Sequence, residues 1–277
     1  HDKNTKWVGI SSLKSVKSYG CYYLLNDVTT TDEGWGSNLD DVRICLNGHN
    51  IILENGYYRP YIHVTNYHTL TITDCAEEAG QITRKDTADP KGACIVEIDA
   101  GCKFNMFGGE ITGLDTSENS APYPAAVFNR GTFNLCGGKI TGNKSHAVYN
   151  ENATMNLYGG EISGNTANGG GGVAIIGSTM VMHDGVISNN STYRTSGQDS
   201  YGAGVYVADY ANSSGGDTLF TATPASFEMN GGKITGNKAL DYGGGILTFP
   251  QQGEKITINI NKNGEISENQ VTKGSGG

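Results

Sequence analysis

Apolar and polar positions alternate along most of this chain, in a short pattern that recurs. In Phe104-Asn-Met-Phe-Gly-Gly-Glu-Ile111 apolar side chains stand at 104 and 106, a Gly pair follows, and Ile111 resumes the apolar series. A period of two marks a strand with one buried face. The pattern returns as Phe133-Asn-Leu-Cys-Gly-Gly-Lys-Ile140, Met155-Asn-Leu-Tyr-Gly-Gly-Glu-Ile162 and Phe227-Glu-Met-Asn-Gly-Gly-Lys-Ile234. Degenerate copies start at Met180 and Ile256. Ile44 through Ile51 aligns without a gap, and Leu70 through Ile82 aligns with about five residues inserted before Gly80. Starts at 44, 70, 104, 133, 155, 180, 227 and 256 make eight copies.

Several copies add a third strand after a Gly run, as at Gly170-Gly-Gly-Val-Ala-Ile-Ile176 and Gly202-Ala-Gly-Val-Tyr-Val207. Three short strands and three turns in about 22 residues make one coil of a parallel β-helix. Spacing varies from 22 residues (133 to 155) to 47 (180 to 227), and such a coil tolerates growth at its turns. The expected fold is all-β: a single-stranded right-handed parallel β-helix of about eight coils over residues 21–272. Phe104, Phe133, Met155, Met180, Phe227 and Ile256 should stack inward. So should Met106, Leu135, Leu157, Met182, Met229 and Ile258, and the Ile ladder from Ile51 to Ile266. Asn143, Asn165, Asn190, Asn237 and Asn269 should form an amide ladder at one turn. The column Glu110, Lys139, Glu161, Val186, Lys233, Glu265 reads as cross-rung surface pairs.

Residues 1–20 read as a cap. Trp7, Ile10, Leu13 and Val16 recur every three residues, which predicts a short amphipathic helix or turn capping the first coil. Tyr22–Leu25 is the expected first strand. No comparable lid follows Gln270, so the parent protein is expected to continue, and Lys273–Gly277 reads as a linker or cut site.

Composition narrows the function. Gly supplies 41 of 277 residues, about twice the usual roughly 7%, without the period of three of collagen. Net charge is −9, with few Arg among the cations, which disfavours nucleic acid and anionic membranes as partners. No apolar run reaches the roughly 18 residues of a membrane span.

The GG-[EK]-I-[ST]-G-N and GGG-[VI] repeats resemble the right-handed parallel β-helix repeats of large secreted and cell-surface proteins of bacteria, notably gut anaerobes, within the pectate-lyase-like superfamily. Tyr22–Ile52 and Leu70–Cys75 look like the opening coils of such proteins. The resemblance covers residues 20–270. It implies a secreted or cell-surface location, but no single activity, because the scaffold carries pectin-degrading enzymes, tailspikes and non-catalytic adhesins alike. The chain departs from polygalacturonase-like enzymes in lacking N-T-D and R-I-K, and no Arg lies beside an acidic cluster as lyases require. No metal and no cofactor is expected. The six Cys allow 15 disulfide pairings in an exported chain, and stacked reduced thiols fit equally well.

On a repeat scaffold the departures from the repeat are the candidates for function. Asn55–His68 gathers Tyr57, Tyr58, Arg59, Tyr61 and His63, residue types that stack on sugar C–H faces and bond hydroxyls; a stiffening aromatic ladder is the other reading. The 47-residue coil adds Tyr193, Arg194 and Tyr201, with His183, Asp184 and Glu228 as candidates for a catalytic acid–base group. Tolerated loop growth is the alternative there. The leading expectation is a non-catalytic, adhesin-like or carbohydrate-binding extracellular module of a longer bacterial surface protein. Its partner would be a glycan or a host-surface ligand. A glycoside hydrolase or polysaccharide lyase, or a structural stalk, are the alternatives. A site requires that the long-loop coil and the Tyr-rich segment share one face.

Overall fold

The computed structural model describes residues 5–31, 35–54, 62–85, 94–116, 124–194, 200–211, 222–250 and 255–274. Three long parallel sheets wind around one apolar core. The first has ten strands, from Trp7–Ile10 to Ile256–Ile260. The second has nine, from Val28–Thr30 to Gly264–Ser267, and the third has seven, from Ile62–Val64 to Ile246–Phe249. A fourth, of four two-residue strands, lies between second and third along the chain. Every pairing in these four sheets is parallel and joins one rung to the next. Among the described residues the exception is an antiparallel ribbon, Tyr210–Ala211 with Ala222–Thr223. This is a parallel β-helix.

The inward columns are those the alternation predicts. Phe104, Phe133, Met155, Met180 and Phe227 pair in register, and so do Met106, Leu135, Leu157, Met182 and Met229. All ten are fully buried. Phe104 and Phe133 stack with centroids 5.4 Å apart. The Ile ladder runs from Ile51 through Ile82, Ile111, Ile140, Ile162, Ile187 and Ile234 to Ile266. At the corner between first and second sheets the second Gly of each pair is left-handed. Gly138 has φ 82°, and a Cβ there would meet the Gly109 carbonyl oxygen at 2.6 Å.

The amide ladder forms as expected. Asn143 Nδ2 donates to Asn165 Oδ1 (2.9 Å), Asn165 to Asn190 (3.0 Å), Asn190 to Asn237 (3.0 Å) and Asn237 to Asn269 (2.9 Å). Each oxygen also accepts the backbone N–H of the previous Asn, at 3.0 to 3.1 Å. Each Nδ2 also reaches a carbonyl of the preceding rung, as from Asn190 to Ile162 O at 2.9 Å. On the second sheet's outer face Lys139–Glu161 (3.4 Å) and Lys233–Glu265 (2.8 Å) are the expected cross-rung pairs.

Three expectations need correction. The cap is not a helix: Trp7–Ile10 is a strand paired in parallel with Cys21–Leu24, and only Leu13–Ser15 turns, as one 3-10 turn capped by the Ser12 hydroxyl. Val8, Gly9 and Ile10 are poor helix formers, and the open sheet edge offers them backbone partners. Ile10, Leu13 and Val16 are nevertheless buried over the first rungs. Cys21–Leu24 is the expected first strand, so Trp7–Ile10 adds one strand to the first sheet beyond it and the eight copies counted. Two copies also stand two residues away from their aligned place. Val42, not Ile44, pairs with Leu70, and Ile258, not Ile256, pairs with Phe227. The corner after Val42–Cys45 is longer, with Leu46 buried inside it and Asn47 and Gly48 left-handed. A slip of two keeps each side chain on its face, so the inside–outside assignment survives while the columns shift.

Asn190→Ala strands the Ile162 carbonyl and two Asn165 N–H groups in the interior, and should cost on the order of 3 kcal/mol. Asn269→Ala, at the half-buried end of the ladder, should cost about 1 kcal/mol. Denaturant unfolding of both variants measures the difference, and equal losses would contradict the ladder's role.

Candidate functional site: the outer face of the third sheet

The first and second sheets are joined by short Gly corners in most rungs. Chain length varies where the chain enters the third sheet and, in the 47-residue coil, again where it leaves that sheet, between Ala208 and Ala225. The stretch between Leu53 and Ile62 enters it, and so does the stretch between Thr192 and Val205. The third-sheet strand Ile62–Val64 lies within the Tyr-rich segment, and Val205–Ala208 belongs to the 47-residue coil. These two strands are five steps apart, about 24 Å along the axis.

Alternation turns two columns of this sheet outward. One runs His63, Glu97, Phe128, Tyr149, Ala174, Tyr206, Leu247. The other contains Glu151, Ile176, Ala208 and Phe249 in register, with Asp99 and Arg130 on the rungs before. The face is polar at one end and aromatic at the other.

At the polar end His63 Nε2 lies 3.1 Å from Asp99 Oδ2. The Arg130 guanidinium contacts Glu97, stands 3.4 Å from Asp99 Oδ1, and lies 5.0 Å from the Phe128 ring centroid. One ligand atom each from His63, Glu97 and Asp99 fit within 4.8 Å of one another, a spacing that could hold a cation. Arg130 already balances both carboxylates, so the cluster reads as a closed ion-pair group. Burial raises the Glu151 carboxyl above its usual range, and Arg130 partly opposes this. In the middle, Phe128 and Tyr149 pack at 5.6 Å, and His146 meets Tyr149 edge-on at 5.3 Å.

At the aromatic end Tyr201 is a hub. Its ring lies 6.1 Å from Tyr206, 6.0 Å from Tyr242 and 5.8 Å from Phe249. Tyr242 and Phe249 are exposed, at 38% and 44%. The nearby loop base is held by Asp241, a buried carboxylate that accepts from Ser200 N and Oγ (both 3.0 Å) and from Arg194 Nε (3.2 Å). The Arg194 guanidinium lowers the Asp241 pKa. Arg194 thus clamps one rung to the next.

Of the residues singled out from sequence, His63 and Tyr201 stand on this face and Arg194 beside it. Tyr193 is half-buried at the adjoining corner, its pKa raised by burial and by Asp115. Tyr57, Tyr58, Arg59 and Tyr61 lie outside the described residues. His183 and Glu228 belong to the first sheet's outer surface: His183 stacks on Tyr158 at 4.5 Å, and Glu228 accepts from Asn230 at 2.8 Å. Asp184 is exposed at the next corner.

The first sheet carries a hollow that sequence reasoning missed. Trp7, Arg43, Thr71, Asp74, Asn105 and Phe107 line it, with Phe107 55% exposed. Arg43, Thr71 and Asn105 form one outward column, a signal hidden by the two-residue slip at residues 42–45.

Among the described residues no helix is long and apolar enough to cross a membrane. Comparison with family models, curated proteins and solved structures finds no match to the chain. The site must be judged on its own chemistry.

His146 supplies a test of the covered middle of this face. Its Nδ1 donates to the Gly170 carbonyl at 3.0 Å, and burial pulls its pKa down to about 4. The folded state therefore binds a proton less readily than the unfolded chain. Stability contributed by the neutral ring is complete above about pH 6.5 and is lost as pH falls toward 4, by about 3 kcal/mol. His146→Gln should flatten that part of the stability–pH curve in denaturant titrations between pH 7 and 4.

Proposed function

We propose that this chain is a non-catalytic, carbohydrate-binding extracellular module of a bacterial surface protein, adhesin-like in role. It would hold a glycan along the outer face of the third sheet. The observation that carries the reading is the aromatic quartet about Tyr201, with two exposed rings on a rigid sheet. Such rings bury the C–H faces of sugars at little entropic cost. Rungs repeating at ~4.8 Å present successive side chains at nearly the spacing of successive sugar units. Between this quartet and the polar end Tyr149 is buried and Phe128 half-buried, and beyond them Arg130, Glu97 and His63 offer bonds to hydroxyls or a carboxylate. The acidic net charge fits neutral glycans better than strongly anionic ones.

A second reading, a glycoside hydrolase or polysaccharide lyase, draws on one observation: the raised Glu151 carboxyl next to Arg130, with Asp99 on the same face. On that reading Glu151→Gln abolishes turnover while leaving binding intact.

A glycan array with the wild-type chain should identify binders. Tyr242→Ala and Phe249→Ala, exposed positions that cost little in folding, should each weaken binding about tenfold, or ~1.4 kcal/mol. Unchanged affinity in both variants would remove the Tyr201 quartet from the site. Absence of any glycan binding would favour a stalk, and cleavage of a polysaccharide would favour the enzyme.

A further inference from the structure

All six Cys are unpaired in the structure, yet two of them are not independent. Cys45 ends a first-sheet strand, on its outward side, and is fully buried. Cys75 follows the next strand, Thr69–Thr73, and is exposed. Their Sγ atoms lie 3.0 Å apart, across 30 residues of chain. That is longer than a covalent bond of ~2.05 Å and shorter than ordinary non-bonded contact, roughly 3.5–4.0 Å even between carbons.

The approach is built by other groups. The Asp74 carboxylate accepts from Gly48 N (3.1 Å), Ala76 N (3.2 Å) and Gly80 N (2.6 Å), tying both rungs' corners together. Gly80 is pressed against its neighbour: a Cβ there would meet His49 O at 2.2 Å. The backbone on either side of the two sulfurs is therefore fixed before any bond between them forms.

We propose that Cys45 and Cys75 are an oxidation site that closes into an inter-rung disulfide by exchange with a small-molecule disulfide. The Cys75 thiolate attacks one sulfur of the reagent, forming a mixed disulfide and releasing one thiolate. The Cys45 thiolate then attacks Cys75 Sγ and releases the second. Two protein thiols are oxidised, the reagent is reduced to two thiols, and the two protons pass to the departing thiolates. The Cys75 thiol is pushed up to about 11, first by its hydrogen bond with Cys45 and then by burial. The thiolate is scarce at neutral pH, so closure accelerates as pH rises. The other Cys have no such partner: Cys94 and Cys102 are buried in different places, with burial raising both pKa values. The closed bridge would pin the corner that carries Asp74, one wall of the hollow on the first sheet.

The test uses the full chain incubated with oxidised glutathione at pH 8, against a dithiothreitol-treated control. Free thiols are then alkylated under denaturing conditions and the chain digested with trypsin. Residues 44–84 come off as one peptide, because Arg59 precedes Pro60, and it contains only these two Cys. The expected result is an unalkylated 44–84 peptide, lighter than the dithiol form by two hydrogens, with the other four Cys still alkylated. The oxidised chain should also melt several degrees higher. Cys75→Ser should leave Cys45 unmodified by glutathione in the folded protein and abolish the shift in melting temperature. Double alkylation of 44–84 after oxidation, or a stable glutathione adduct on Cys75 alone, would overturn the proposal. Because Cys75 is exposed, its serine variant keeps the test intact where Cys45→Ser fails to fold.

Discussion

A side-chain amide inside a protein is stable only when its oxygen and both hydrogens have partners. Asn143, Asn165, Asn190 and Asn237 meet that condition by using one another and the backbone of the neighbouring rungs. The arrangement is self-propagating: each amide supplies the acceptor that the previous one needs. A one-residue slip in any rung would remove the Asn from its column and leave several buried groups unpaired. The ladder therefore holds the register of successive rungs, and the apolar columns follow from it. Phe104 stands over Phe133, and Ile140 over Ile162, because the corner beside them cannot shift.

The same constraint determines where variation is permitted. Corners with the Asn ladder or the left-handed Gly column have no room for added chain, since a Cβ at Gly138 or Gly160 would strike a carbonyl at 2.6 Å. Between the ladder Asn and the third-sheet strand, by contrast, the rungs differ in length, from Asn143 to His146 in one and from Asn190 to Val205 in another. Insertions gather there, and the outward columns of that sheet depart from the repeat: a charged group at His63, Glu97, Asp99 and Arg130, then aromatics ending at Tyr201, Tyr242 and Phe249. Rigid register and permissive edge together produce an aligned, chemically varied strip about six rung spacings long, ~29 Å.

The fold was legible because the repeat writes itself in alternating apolar residues, Gly pairs and Asn. What was not legible has physical causes. Trp7, Ile10 and Leu13 have helical spacing, but burial against a sheet end requires only that apolar groups face one way, and a strand followed by a single turn achieves it. The slip of Ile44 was invisible because two residues preserve the face, and it hid Arg43 from the column of Thr71 and Asn105. Tyr201 and His63 stand out in the sequence by their departure from the repeat, and the structure places both on the third sheet's outer face. Arg194 was found the same way but serves Asp241, since sequence cannot distinguish a cation facing ligand from one facing a buried carboxylate. Tyr206, Tyr242 and Phe249 were missed because each looks ordinary in its own rung, and only stacking brings them to Tyr201.

The central claim is that register-locked rungs present a sugar-binding strip on the third sheet. The most direct measurement is an NMR titration of isotope-labelled protein with an oligosaccharide drawn from array binding, following backbone and aromatic shifts. The account predicts perturbations concentrated at Tyr201, Tyr206, Tyr242 and Phe249 and extending along that sheet toward Tyr149. Shifts confined to Trp7, Arg43, Asn105 and Phe107, on the first sheet, would contradict it.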